Sequence, residues 1–284
     1  MWLLKKPNIK TANVDLDFAL TYANGDVVYD LTKAERKCID DLYVLYDSLL
    51  GRPHDDLKKG RLRQSCLNAL YSAYGEVQKK GRLKKLRRRL LNNAETCPFC
   101  GFAEPTQLDH HLPKSSYKAL SIYSRNLVPS CGPCNNVKRA HVGSGDDELI
   151  HAYFDTLPKQ NFLIAKVRMR GDALVVKFEI ASAGIDPKLA ARLKYQLERM
   201  ELNSRYPKQI NVFLFGQKTG MLEVYGSKGS LGLRKYLLKA AKALDVDFEQ
   251  HDWRAAVMRG LADCERFCEQ GVIRYFKRRR RRSR

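Results

Sequence analysis

Two pairs of cysteines, Cys97/Cys100 and Cys131/Cys134, each have Cys-x-x-Cys spacing, with 30 residues between the pairs. Thiolates so spaced can take two adjacent corners of a tetrahedron, and two such pairs complete a four-sulfur zinc site. All four corners are then filled by protein, so the ion braces the chain rather than reacting. Two disulfides or a redox pair are the alternatives. Between the pairs lies Leu108-Asp109-His110-His111-Leu112-Pro113. A carboxylate beside an imidazole can hold a metal ion and move a proton, or it can be a polar corner of a strand. More polar residues gather at the second pair: Asn126, Asn135, Asn136, Lys138 and Arg139.

Taken in order, four elements resemble the HNH endonucleases, a ββα-metal nuclease family. They are the first Cys-x-x-Cys, Asp109-His110-His111-x-Pro113, Asn126-Leu127, and Cys131-x-x-Cys134-Asn135-x-x-Lys138. The resemblance covers residues 95–142, about a sixth of the chain. Pro113 stands three residues after His110, and Asn135 nine after Asn126. That register implies His110 as general base, Asp109 and Asn135 as ligands of a catalytic Mg2+ or Mn2+, and Asn126 as the structural residue between two strands. It also implies cleavage to 5′-phosphate and 3′-hydroxyl ends. Alternatively, His110 and His111 are ligand and base and Asp109 drops out. Asn135 could instead cap the following helix, or Asn136 could replace it. Some members carry a third metal-binding histidine where this chain has Arg139. Two protein ligands, both hard oxygen donors, favour Mg2+-like ions.

The 284 residues carry 52 Lys and Arg against 31 Asp and Glu, a net charge of +21. Residues 79–89 hold eight basic residues and no acid, and residues 277–284 hold seven; without those fifteen the net charge falls to +6. Charge concentrated in this way suits a phosphate-tracking surface. Candidate nucleic-acid contacts are Lys84, Lys85, Arg87, Arg88, Arg89, Lys138, Arg139, Arg278, Arg279 and Arg280, against the alternative of solvated charged faces. Residues 277–284 read as a structureless basic tail, or a localisation signal in a host with a nucleus. Phosphate contacts position a protein without specifying sequence.

Elements must hold these residues in place. Thr32 and Glu35 are spaced as a capping box, and Cys38, Leu42, Leu45 and Leu49 repeat at helical spacing up to Gly51. Cys66, Leu70, Ala73 and Val77 predict a second helix; Leu83, Leu86 and Leu90 predict a third with basic outer faces. Residues 166–180 alternate as a hairpin turning at Gly171-Asp172. Helices are predicted over 189–200, 230–244 and 252–268. Cys38, Cys66, Cys264 and Cys268 lie on apolar stripes and read as core. His141 and His151 read as surface residues.

The expected fold class is α+β, in four parts. Residues 1–95 form a helical, partly basic region, and 96–145 a zinc-braced ββα module. Residues 146–276 form a hairpin-plus-helices region, followed by the basic tail 277–284. The expected function is metal-dependent hydrolysis of DNA, the choice between DNA and RNA being one the sequence leaves open, in anti-phage defence or a mobile element. The competing readings are a non-catalytic zinc module that binds nucleic acid and an effector held inactive until a partner protein presents substrate. The N-terminal apolar run is too short for a signal peptide and no stretch reaches a membrane span. The expectation is a cytoplasmic protein, prokaryotic or phage-encoded, with no membrane partner.

Overall fold

The computed structural model describes residues 3–22, 24–248 and 251–280. The chain divides after Leu157 into two compact units.

The first unit contains α1 (Ala12–Leu20), α2 (Lys33–Ser48), α3 (Asp56–Lys59), α4 (Gln64–Ala73) and α5 (Lys84–Leu91). Strands β1 (Gln107–His110) and β2 (Leu127–Ser130) follow, then α6 (Gly132–Lys138). Thr32 caps α2 as its sequence predicts: its hydroxyl accepts from the Glu35 N–H, and the Glu35 carboxylate accepts from the Thr32 N–H. The buried face of α2 shares only Leu42 with the predicted stripe. Ile39, Leu42, Tyr43 and Tyr46 face the core, while Cys38 and Leu45 are half-buried. The reason is aromatic. Tyr43 stacks on Tyr123 with centroids 4.0 Å apart, and Tyr46 meets Tyr123 edge-on at 5.6 Å. These rings bury more apolar area than the leucines one position away. They also fix the loop that follows β1 against α2.

β1 and β2 pair antiparallel, with Asp109 opposite Val128 and His110 opposite Leu127. α5 leans on the entry to β1: the Arg87 guanidinium is buried and donates to the carbonyls of Val77 and Thr106. Helical residues before Gln107 and the cysteine-rich segment thus share one core.

The second unit begins with β3 (Leu163–Arg170) and β4 (Ala173–Ile180), a hairpin turning through Gly171 at φ 60°. Helices α7 (Pro187–Arg199), α8 (Leu202–Gly216), α9 (Lys218–Phe248), α10 (Trp253–Asp263) and α11 (Val272–Arg280) follow, with a π-helical turn at Phe267–Gly271. Asp186 and Asp252 cap α7 and α10. α10 crosses β3 closely: a Cβ on Gly260 would lie 2.3 Å from the Ala165 carbonyl oxygen, so only glycine fits there. The Asn203 amide of α8 bonds both the N–H and the C=O of Phe178 on β4.

The hairpin and α7 lie where periodicity puts them. Helix α9 begins at Lys218, twelve residues before the predicted start, and is broken at Gly229 (φ 62°, ψ −161°). α10 ends at Asp263 rather than 268. α1 and α8 were invisible to pattern: α1 is apolar on two faces, and α8 contains Pro207. Residues 277–280, expected as structureless tail, continue α11. Residues 281–284 lie outside the described residues, as do the side chains of Arg278, Arg279 and Arg280. Among the described residues, no helix is long and apolar enough to cross a membrane.

Candidate functional site

The sulfurs of Cys97, Cys100, Cys131 and Cys134 all lie within 4.8 Å of one another, and all four residues are buried. None of the eight cysteines is in a disulfide. The Cys100 and Cys131 sulfurs are 3.9 Å apart. A tetrahedron with Zn–S bonds of about 2.3 Å has edges of roughly 3.8 Å. The first knuckle turns by hydrogen bonds from the N–H groups of Cys100 and Gly101 to the Cys97 carbonyl, with Gly101 at φ 70°. Four thiolates this close repel strongly unless a cation lies between them, so the donor set fits a metal ion. Cys66, Cys264 and Cys268 pack in the cores; Cys38 lies at a half-buried edge.

His110 ends β1 and is buried. Its Nε2 lies 2.8 Å from the Ser121 carbonyl oxygen, an acceptor only, so Nε2 carries the hydrogen and Nδ1 is the acceptor. The ring packs on Tyr74 at 4.3 Å between centroids, and the Tyr74 hydroxyl donates to the Leu108 carbonyl at 2.6 Å. Burial lowers the His110 pKa to about 3, with the Lys138 and Lys114 charges adding to it and the Ser121 carbonyl opposing. The imidazole is therefore neutral at physiological pH.

This burial has a measurable consequence. The unfolded chain protonates His110 near pH ~6.5. Its neutral burial therefore contributes stability that is fully present above that pH and lost as pH falls toward about 3. Asp109 works the other way, since burial raises its carboxyl to about 6 and makes its charge most costly above that pH. The stability difference between wild type and His110→Ala, measured by chemical unfolding, should shrink as pH drops below ~6.5. A difference independent of pH would contradict the neutral, buried imidazole.

Asp109 is buried, and its Oδ2 lies 3.1 Å from the Lys138 ammonium. The approach is an ion pair without a directed hydrogen bond to that oxygen. Lys138 instead donates to the His110 carbonyl at 2.6 Å. The sequence groups Lys138 with the phosphate contacts. The structure corrects this, because only 1% of its side chain is exposed and α6 lays it across β1. Asn135, one turn earlier on α6, donates from Nδ2 to the Gln107 side chain at 2.6 Å. That bond leaves Oδ1, the atom a hard cation takes, outside it. Gln107 and Asp109 alternate onto one face of β1. Asn135 is thus brought to the Asp109 face of the strand, bonded to Gln107 rather than to Asp109.

Asn126 is fully buried and pins the loop between the strands. Its Nδ2 donates to the carbonyls of Leu112 and Leu120; its Oδ1 accepts from the Leu112 N–H and the Tyr46 hydroxyl. Tyr46 in turn meets His151 Nε2 at 2.9 Å, while His151 Nδ1 accepts from the Tyr153 N–H. His151, expected at the surface, is 1% exposed, and the His111 ring lies 3.9 Å from its own. His111 is thereby placed in the loop's packing.

The basic residues divide. Lys84, Lys85 and Arg88 are exposed on α5. Arg87 is buried and structural, which removes it from any open phosphate surface. Arg89 pairs with Asp15 at 2.5 Å. Arg139 is exposed at the end of α6, with φ 51°. Sequence reasoning missed Lys114, whose ammonium stands over the Tyr71 and Tyr74 rings at 4.0 and 5.0 Å. It is an isolated cation in sequence and becomes notable only because Tyr74 also packs on His110.

No protein-family model matches the chain, and no solved structure matches it. A curated relative, Protein ea31 of Escherichia phage lambda, is 39% identical over 69 residues. The match spans 23% of this chain and 23% of the relative, so less than a quarter of either protein is compared.

Proposed function

We propose that this protein is a metal-dependent HNH-type endonuclease that hydrolyses phosphodiester bonds in DNA. One observation carries the reading. A neutral histidine with its Nε2–H fixed and Nδ1 left as acceptor ends the strand that bears a buried aspartate, under a helix that bears Asn135. Asp109 and Asn135 Oδ1 would hold a divalent ion, Mg2+ or Mn2+. The Asp109 carboxylate and the amide oxygen are hard donors that suit it, and Lys138 would share the carboxylate with the ion. Such an ion, when bound, supplies positive charge to the phosphate and the leaving 3′-oxygen.

The residues of the chain do the rest. Nδ1 of His110 takes a proton from the attacking water. Nε2–H stays on Ser121 and prevents the ring from turning. An arriving phosphate anion raises the proton affinity of the imidazole, offsetting the effect of burial. Lys114 and the exposed Lys84, Lys85, Arg88 and Arg139 attract the polyanion. The four cysteines hold a structural Zn2+ that ties the segment before β1 to α6. The resemblance to a phage protein supports a phage or mobile-element origin.

Purified protein incubated with supercoiled plasmid and Mg2+ or Mn2+ should nick or linearise it. His110→Ala should lose about 10²–10⁴ of the rate, with zinc content and circular dichroism unchanged. Equal cleavage by the variant would refute the assignment. One observation favours a second reading, a non-catalytic zinc module that binds nucleic acid: Lys138 already supplies a positive charge to Asp109. Under that reading wild type and variant bind DNA and neither cuts it. An effector awaiting a partner protein would cut only in that partner's presence.

A further inference from the structure

Helix α1 has more apolar surface than its core needs. Ala12, Leu16, Ala19 and Leu20 are buried, yet Val14 and Phe18, one turn apart on the outer face, and Tyr22, in the non-helical segment just past the helix end, make an outer stripe that is 52%, 52% and 50% exposed. This outer stripe forms one wall of an open groove of about 710 Å³, whose other wall is the basic turn Lys80-Gly81-Arg82 and Lys84. Arg82 joins the walls. Its guanidinium donates to the Ala19 carbonyl at 3.0 Å and lies 5.1 Å from the Tyr22 ring centre. Gly81 is required for the turn, since a Cβ there would meet the Glu76 carbonyl oxygen at 2.1 Å. The single acid in the lining, Asp17, is engaged by Arg36 at 2.5 Å. Lys80 and Lys84 are exposed.

We propose that this groove binds single-stranded nucleic acid, stacking unpaired bases on Phe18 and Tyr22 while Lys80 and Lys84 hold the backbone. Exposed aromatic rings flanked by cations are the physical requirement for such binding: every base offers a π-face, and the phosphates meet the lysines. A duplex keeps its bases stacked on each other and gains only the lysines. A protein surface or a second copy of the chain would bury the rings but would leave the exposed lysines facing one another unless acids answered them. A single helix also links the groove to the strand of the candidate site. Lys84 begins α5, eight residues and so about 12 Å long, and Arg87 of the same helix bonds Thr106 at the entry to β1. The inference rests on the nucleic-acid reading above and names the form of its substrate.

The test is fluorescence anisotropy on the full zinc-loaded chain, without added Mg2+ or Mn2+. It compares a labelled oligothymidylate of about 15 nucleotides with a duplex of the same length. Phe18→Ala/Tyr22→Ala, two exposed positions, should weaken single-strand binding by about tenfold or more and leave duplex binding nearly unchanged. Lys80→Ala/Lys84→Ala should weaken both and flatten both salt slopes. Wild-type single-strand affinity in the aromatic variant would overturn the groove alone. Loss of self-association in that variant, with single-strand affinity intact, would assign the stripe to a second copy and overturn it too. Failure of wild type to bind either oligonucleotide would end the nucleic-acid reading and the groove together.

Discussion

Cys131→Ser should yield protein that retains little zinc and whose first unit lacks native tertiary structure. The four sulfurs sit within 4.8 Å of one another and are buried. Structural zinc in such sites supplies about 10–16 kcal/mol of apparent binding free energy, as much as the whole stability of a typical domain, about 5–15 kcal/mol. The affected contacts are identifiable. Cys131 is the residue at which β2 passes into α6, and α6 carries both Lys138 and Asn135. Without the metal the knuckle after Ala94 and the start of α6 lose their common anchor. Metal analysis should find about one zinc per wild-type chain, consistent with one four-coordinate site, and near-UV circular dichroism should collapse for the tyrosines of the first unit. The unit beyond Pro158 shares none of these ligands, so much of the helical signal should survive. Cys38→Ser, outside the cluster, should keep both zinc and tyrosine signal. A Cys131→Ser protein with no zinc and a native near-UV spectrum would sink the brace.

Lys138→Met should destabilise the same unit by about 3–5 kcal/mol, the usual cost of stranding one member of a buried ion pair. The Asp109 carboxylate would be left buried with its neutralising charge gone, and the His110 carbonyl would lose its 2.6 Å donor. Asp109→Asn/Lys138→Met should recover a large part of the loss, because replacing both partners removes the uncompensated charge. Urea-induced zinc release, followed with a chromophoric chelator, reports on this unit specifically. A Lys138→Met protein that releases zinc at the wild-type urea concentration would mean that the lysine is not balancing the carboxylate. If Lys138 were a solvent-facing phosphate contact, the same substitution would change stability by no more than about 0.5 kcal/mol.

The cysteine cluster was legible because its spacing is local. Two knuckles of four residues each announce a tetrahedral donor set, and the structure gathers those four sulfurs. Asn126 was legible as the tie between two strands. Lys138 was not. It sits in a run of exposed polar residues, and its burial depends on how α6 crosses β1, which no short window records. The same holds for His151, whose partners Tyr46 and Tyr153 are seen only after folding. In α2 the leucine pattern located Leu42 but missed Ile39, Tyr43 and Tyr46, which fill the rest of the core face. Gly229 and Pro207 hid the true extents of α9 and α8, since both residues weaken a helical reading that tertiary packing then overrides. Tyr74 and Ser121 gain meaning only from their contacts with His110, and Lys114 from its place over Tyr74.

The hydrogen-bonded relay from Tyr153 through His151 and Tyr46 to Asn126 sets how short a working fragment could be. Cutting the chain down to its signature, residues 96–145, would keep all four sulfurs, the aspartate and the histidine. It would discard the tyrosine that cradles the imidazole from one side and the two aromatic links that hold the interstrand loop from the other. The carbonyl of Ser121 would then drift, and the imidazole would be free to spin and to swap its proton between nitrogens. A fragment that keeps this relay must therefore reach at least from Tyr46 to Tyr153, far outside the short motif.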